Sequence, residues 1–335
     1  MAATALALVA AARRVRPRPW HGAAAVAVIG ADLLSAGADV NVYGPRALLD
    51  GAPEAVKSVR QIAGDGRLFR EPDPVPLRLT APTDDISWLA VYTEETLGKS
   101  TARFGISKIF HLDVDSLALR DMAAARLELA HLPWAERMPL LSAAGVRAVL
   151  AFEEPPLTGL EFVAELPNRS RHRLFLYRNP AAVPPARFVA IAERADSFEE
   201  AMRRLREPGA DPLRRVLLAG ADPAPAPAGP CAPADVAQTV PGADRQLLEV
   251  RTPCPGYLVL TTPRHRGWEA SLDSRPAPLL RADGLFLAVA VPAGNHHVEL
   301  RFTPPGFVAG LAAAAATALS LGAFLAGARR PLAAP

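Results

Sequence analysis

Residues 285–302 read LFLAVAVPAGNHHVELRF, and the spacing of apolar residues in this stretch decides the fold. Leu285, Leu287, Val289 and Val291 alternate, and further on Val298, Leu300 and Phe302 alternate against His297, Glu299 and Arg301. Successive strand side chains point to opposite faces, so a period of two predicts strands with one buried face. Asp283-Gly284 and Gly294-Asn295 supply tight turns between them. Short strands at this spacing predict a small antiparallel β-sandwich over 236–303.

Downstream, Pro304 and Pro305 end the last strand, and an uncharged run of Ala, Leu, Val, Phe and Gly follows to Gly327, with Arg329 and Arg330 behind it. At about 1.5 Å per residue, a run near 20 residues long can cross a hydrocarbon core of roughly 30 Å. Thr317 and Ser320 do not make the polar stripe of a soluble helix. A transmembrane helix over 306–327 and a cytoplasmic tail over 328–335 are expected.

Upstream, residues 222–235 are dominated by Pro and Ala and read as a linker. Before it, 41–221 reads as a mixed α/β domain. Pro53, Val56, Val59, Ile62 and Gly64 mark a short helix, and Arg67–Arg70 begins a strand. Residues 139–144 read as a helical turn, and 146–152 as a buried strand. Residues 188–192 form another strand, Ser197 with Glu200 is a capping box for a helix up to Glu207, and 216–219 closes a strand-helix-strand unit.

At the N-terminus, 1–12 reads as a partial apolar helix, 13–20 as a basic loop with Arg13, Arg14, Arg16 and Arg18, and 21–40 as a second transmembrane helix carrying Asp32 and Asp39. An Ala-rich soluble helix is the alternative for 21–40. Because basic loops stay on the cytoplasmic side, both arginine clusters lie inside and the bulk of the chain lies outside the bacterial cytoplasmic membrane. That compartment permits a disulfide, so Cys231 and Cys254 are candidates, although sequence fixes no geometry for the pair. The fold class is membrane-anchored α+β: a mixed α/β extracytoplasmic domain, a small antiparallel β-sandwich and a C-terminal transmembrane helix. Two soluble domains also suit the 335 residues. The net charge of +3 is spread, with Arg203 and Arg204 beside Glu207, and aromatics are only 6%, so no nucleic-acid partner is expected.

Four stretches then follow in order: Gly256-Tyr-Leu-Val-Leu, Gly267-Trp-Glu-Ala-Ser-Leu-Asp273, Leu280-Arg-Ala-Asp-Gly-Leu-Phe286 and Val291-Pro-Ala-Gly-Asn-His-His-Val-Glu299. Together they resemble the C-terminal extracytoplasmic sandwich of the YfhO family of bacterial membrane proteins. Asp65-Gly-Arg-Leu-Phe-Arg70, Leu141-Ser-Ala-Ala-Gly-Val146, Leu176-Tyr-Arg-Asn179 and Pro184-Pro-Ala-Arg-Phe-Val189 look like further landmarks of that family. The resemblance implies a relation to membrane glycosyltransferases of the C-type fold, which take sugar from a lipid-phosphate donor with carboxylates in an early outside loop. It implies that this chain is the C-terminal part of such a protein, whether a fragment, a split gene or a mis-called start. Arg264-His-Arg266 departs from the aromatic and Pro residues that often precede the Gly-Trp pair in the family.

Paired carboxylates could serve as acid and base in glycoside chemistry, and Asp84/Asp85, Glu94/Glu95, Asp113/Asp115 and Glu153/Glu154 are available. Strand neighbours point to opposite faces, and acids are mostly solvated, so these read first as surface. His296 and His297 lack metal-ligand spacing, no nucleophile elbow or phosphate-cradling Gly loop occurs, and neither metal nor cofactor is expected. Trp268 reads as sandwich core or as a ring that stacks on sugar; Tyr92, Trp88 and Trp134 read as fold residues first and glycan contacts second. Asp32 is a candidate because an acid within a membrane segment is costly.

The expectation for function is therefore the outside portion of a YfhO-like protein that assists lipid-linked sugar transfer to a cell-envelope polymer and is inactive alone. The alternative is a non-catalytic anchored module that binds envelope glycan or a protein partner. Expected partners are the lipid bilayer, membrane helices upstream in the same protein or on a split partner, and envelope glycan.

Overall fold

A computed structural model describes residues 27–32, 35, 51–72, 100–111, 119–167, 172–223 and 229–328. The expected loop 13–20 lies outside these residues, as does most of the expected span 21–40, of which 27–32 are helical.

Helix α1 (Glu54–Ala63) buries Val56, Val59 and Ile62 at the i, i+3, i+6 spacing read from the sequence, and stops at Gly64 with φ 53°. It packs on one face of a four-stranded sheet ordered β1-β2-β4-β3: β1 (Arg67–Arg70), β2 (Val146–Ala151), β3 (Glu161–Leu166) and β4 (Leu174–Arg178). Ala148, Leu150, Leu174 and Leu176 face α1, while Val149, Ala151, Phe175 and Tyr177 face a second core. Both faces of β2 and β4 are buried, which is why they read as continuous apolar runs.

That second core is shared with α2 (Arg120–His131), α3 (Trp134–Ala143) and α4 (Phe198–Leu205). Helix α3 begins five residues before the helical turn expected at 139–144, because Pro133 takes the N-cap position and Pro139 is accommodated inside the helix. Pro139 removes one backbone donor. The burial of Trp134, Met138 and Leu141 outweighs that loss. At α4, Ser197 Oγ accepts from the Glu200 amide at 3.1 Å and Glu200 accepts from the Asp196 amide at 2.7 Å, so the capping signature forms.

The central sheet has six strands ordered β5-β10-β14-β13-β7-β6. They are β5 (Ala186–Val189), β6 (Ile191–Ala195), β7 (Arg215–Ala219), β10 (Gly256–Leu260), β13 (Leu280–Ala282) and β14 (Phe286–Val291). The expected strand-helix-strand unit forms as β6-α4-β7, and its two strands are parallel. The single strand expected at 188–192 is instead β5 and β6, which occupy opposite edges with only Ala190 between them. Laid flat, those edges would be roughly 24 Å apart at about 4.8 Å per strand, whereas one intervening residue spans at most roughly 7 Å. The sheet is therefore rolled until its edges meet. Gly256 sits at that corner: a Cβ there would lie 2.5 Å from Phe188 Cζ and 2.7 Å from the Val189 carbonyl oxygen.

A five-stranded antiparallel sheet, ordered β12-β11-β15-β9-β8, covers the other face. It contains β8 (Asp235–Gly242), β9 (Arg245–Thr252), β11 (Trp268–Leu272), β12 (Arg275–Ala277) and β15 (Gly294–Phe302). Leu258, Leu260, Leu287 and Val289 from the central sheet meet Leu248, Val250, Val298 and Leu300 from this one. The sandwich thus exists, but its boundary differs from the expected 236–303, because β5, β6 and β7 precede the linker and complete one of its sheets. The Gly294-Asn295 turn also differs: these residues open β15, so the chain passes there from the central sheet to the covering sheet.

The last described element is α5 (Phe307–Ala328). Its side chains are described for 307–320, a rise of roughly 20 Å. Among the described residues no helix is long and apolar enough to cross a membrane, so the expected transmembrane crossing at 306–327 is not supported by them.

Candidate functional site

The Trp268 groove opens on the covering sheet. Gly267 precedes the Trp because a Cβ there would lie 2.5 Å from the Thr303 carbonyl oxygen and 2.7 Å from Phe302 Cε2. The Gly267 amide donates to His265 Nδ1 at 3.0 Å and the Trp268 amide to the His265 carbonyl at 3.1 Å, which fixes the entry to β11. The indole leans on Phe302, ring centroids 5.2 Å apart, and packs in part against the sandwich core with Ala270 and Leu272. Trp268 is thus partly a core residue and partly a wall of an open groove of about 650 Å³.

Alternation places Glu269 and Ser271 on the strand face opposite Trp268 and Ala270. Register sets Glu269 opposite Arg301 and Ser271 opposite Glu299. Glu299 accepts from Arg245 Nε at 2.8 Å and lies 3.8 Å from Arg301 Nη2. The outer face of the groove therefore gathers carboxylates, a hydroxyl and a guanidinium that can hydrogen-bond to sugar hydroxyls, while the Trp268 ring lies toward the other face with Phe302. It has no isolated carboxylate pair set for bond cleavage, since Glu299 is taken up in ion pairs.

The hairpin β11-β12 ends this surface. Asp273 and Ser274 both have positive φ, 50° and 65°, in a two-residue turn that no Gly announces. Asp273 Oδ1 accepts from the His297 amide at 2.9 Å, and Oδ2 lies 2.8 Å from His296 Nδ1. The His297 amide, and then His296, hold the Asp273 carboxyl below the usual carboxylate range. The adjacent histidines thus pin a turn. Among the described residues no three His, Cys, Asp or Glu converge on a metal site.

Tyr92 and Trp88 lie outside the described residues, as do the acidic pairs at 84–85, 94–95 and 113–115. Glu153 and Glu154 are exposed; Glu154 pairs with Arg173, and the Glu153 carbonyl accepts from Tyr177 Oη at 2.8 Å. Trp134 is buried beneath the Arg137 guanidinium, 4.7 Å from its ring centroid, and is not a glycan platform. Asp32 is exposed at the end of the helical stretch 27–32, and its carbonyl accepts from Ser35 Oγ at 3.0 Å. Cys231 and Cys254 form a disulfide with Cα atoms 6.0 Å apart across a separation of 23 residues. Closing such a loop stabilises by about 3 kcal/mol in the chain-entropy model.

Residues 250–313 match the profile of a family described as bacterial membrane protein YfhO. Over that segment the chain is similar to the YfhO family. The matched segment runs from within β9 through the Trp268 groove and β15 into α5. No curated protein and no solved structure matches the chain.

Proposed function

We propose that this chain is the extracytoplasmic C-terminal portion of a YfhO-type bacterial membrane protein, anchored through α5, and that it assists lipid-linked sugar transfer by presenting the Trp268 groove to a cell-envelope glycan. The YfhO match over 250–313 carries this reading. Two physical features support it. Along 307–320 every side chain is exposed, including Phe307, Val308, Leu311 and Leu319. A contiguous apolar surface of that kind needs an apolar surrounding. The groove along the Trp268 strand offers hydrogen-bonding groups, and its Glu299 is held in ion pairs.

The test uses the full chain in detergent micelles. It should show no turnover of polyprenyl-phosphate sugars, yet be retained on immobilised envelope glycan. Trp268→Ala should weaken retention about tenfold, and Glu269→Gln, at an exposed position that leaves the core intact, about threefold. Retention unchanged in both variants, or sugar turnover by the chain itself, overturns the reading.

A further inference from the structure

A second cleft, of about 440 Å³, lies where the α1 side of the molecule meets the covering sheet. Three motifs singled out in the sequence converge there without a role in the groove: Asp65-Gly66-Arg67, Gly145 behind α3, and Pro184-Pro185 before β5. The backbones approach closely, since a Cβ on Gly66 would lie 3.2 Å from the Gly145 carbonyl oxygen, and one on Gly145 would lie 3.1 Å from that of Val183.

The cleft holds a cation that has no counter-ion among the described residues. Arg67 is half-buried, and its Nη1 donates to the Ala144 carbonyl at 2.9 Å, which satisfies the end of α3. That contact uses one of five guanidinium donors. Arg67 makes no ion pair among the described residues: Asp65, the other charged lining residue, is taken by Arg147 Nη1 at 2.5 Å. Burial lowers the Arg67 guanidinium to about 10, so it stays protonated at neutral pH while lacking the charge partner that would offset its desolvation.

Opposite Arg67 the wall is polar and uncharged. Gln238 Nε2 donates to Gln246 Oε1 at 3.1 Å, and Gln246 Nε2 to Thr262 Oγ1 at 3.0 Å, leaving amide hydrogens of this chain to spare. Thr261 Oγ1 donates to the Pro185 carbonyl at 3.3 Å. A guanidinium with no ion pair among the described residues, sharing one cleft with neutral amide and hydroxyl groups, is the composition of an oxyanion site.

We propose that this cleft binds a phosphate group, with Arg67 as its charge partner and the Gln238-Gln246-Thr262 wall as its neutral donors. Free phosphate and a phosphodiester share the chemistry recognised, since both present tetrahedral oxygens with negative charge. The site stands apart from the Trp268 groove, so it can fail or hold independently of the glycan reading.

Calorimetric titration of the full chain in micelles at low salt tests it, with inorganic phosphate, glycerophosphoglycerol and glucuronate in separate arms. Phosphate should saturate one site, and Arg67→Gln should weaken it at least tenfold. Tighter binding of glycerophosphoglycerol than of phosphate identifies the esterified source, and the reverse order the free ion. Gln238→Leu, remote from the helix end, should weaken binding about threefold with an unmoved thermal midpoint, which a capping role for Arg67 alone would not produce. Equal affinity in wild type and Gln238→Leu, no saturable phosphate binding, or preference for glucuronate overturns the proposal.

Discussion

Asp283 ties three strands of the rolled sheet through one carboxylate. It sits at φ 48° in the turn between β13 and β14, accepts from Arg187 Nη2 at 2.6 Å and the Leu217 amide at 3.0 Å, and donates its own amide to the Leu217 carbonyl at 2.8 Å. The pair is almost wholly enclosed, with side-chain exposures of 1% for Asp283 and 4% for Arg187. Burial pushes the Asp283 carboxyl up and the Arg187 guanidinium down, and each partner opposes the shift of the other. Asp283→Ala should therefore cost about 3–5 kcal/mol by stranding Arg187, and Arg187→Met with Asp283→Leu should recover most of it. Urea denaturation of the two variants decides this, and a loss below about 1 kcal/mol in Asp283→Ala would refute it. Asp283-Gly284 is legible in the sequence as a turn. That the aspartate is buried is not, because its partner lies 96 residues away.

Elements were legible where local signals and burial agree. Val56, Val59 and Ile62 define α1, and Ser197 with Glu200 defines the start of α4. The reading failed where tertiary contacts override local ones. Residues 188–192 carry no local sign of the corner at Ala190, which exists because Gly256 lets another strand come within contact of it. The groove was legible at Trp268 alone, since Glu269, Glu299 and Arg301 meet only through the register of β11 with β15. For α5 the local signal is composition, and the exposure of 307–320 adds a physical demand for an apolar surrounding. If α5 anchors the chain, alkaline phosphatase fused after Asp222 should be active and after Pro335 inactive. Activity in the opposite order would reject that anchor and its orientation.

At the scale of the whole molecule, the Pro/Ala stretch suggests a division that the sheets do not respect. Strands β5, β6 and β7 come before it and β10, β13 and β14 after it, yet they share hydrogen bonds in one rolled sheet. The strands after the stretch carry alternating side chains to two cores: Leu258 and Leu260 face the covering sheet, whereas Tyr257 and Val259 face the core shared with α3 and α4. Phe286 and Ala288 join that shared core, and Leu287 and Val289 the sandwich core. Residues 229–303 alone, with Cys231–Cys254 retained, would expose one of these faces and leave β10 and β13 as unpaired edges, an arrangement prone to self-association. That segment should show no cooperative urea transition and should self-associate, whereas 51–303 should unfold in a single transition. Dispersed amide resonances and a sharp, concentration-independent transition from 229–303 would mean that the sandwich is self-sufficient after all. Covalent continuity across the stretch is not what the fold requires, since co-expressed 51–223 and 229–303 should pair through the rolled sheet. Their co-purification would locate the cohesion in the shared strands.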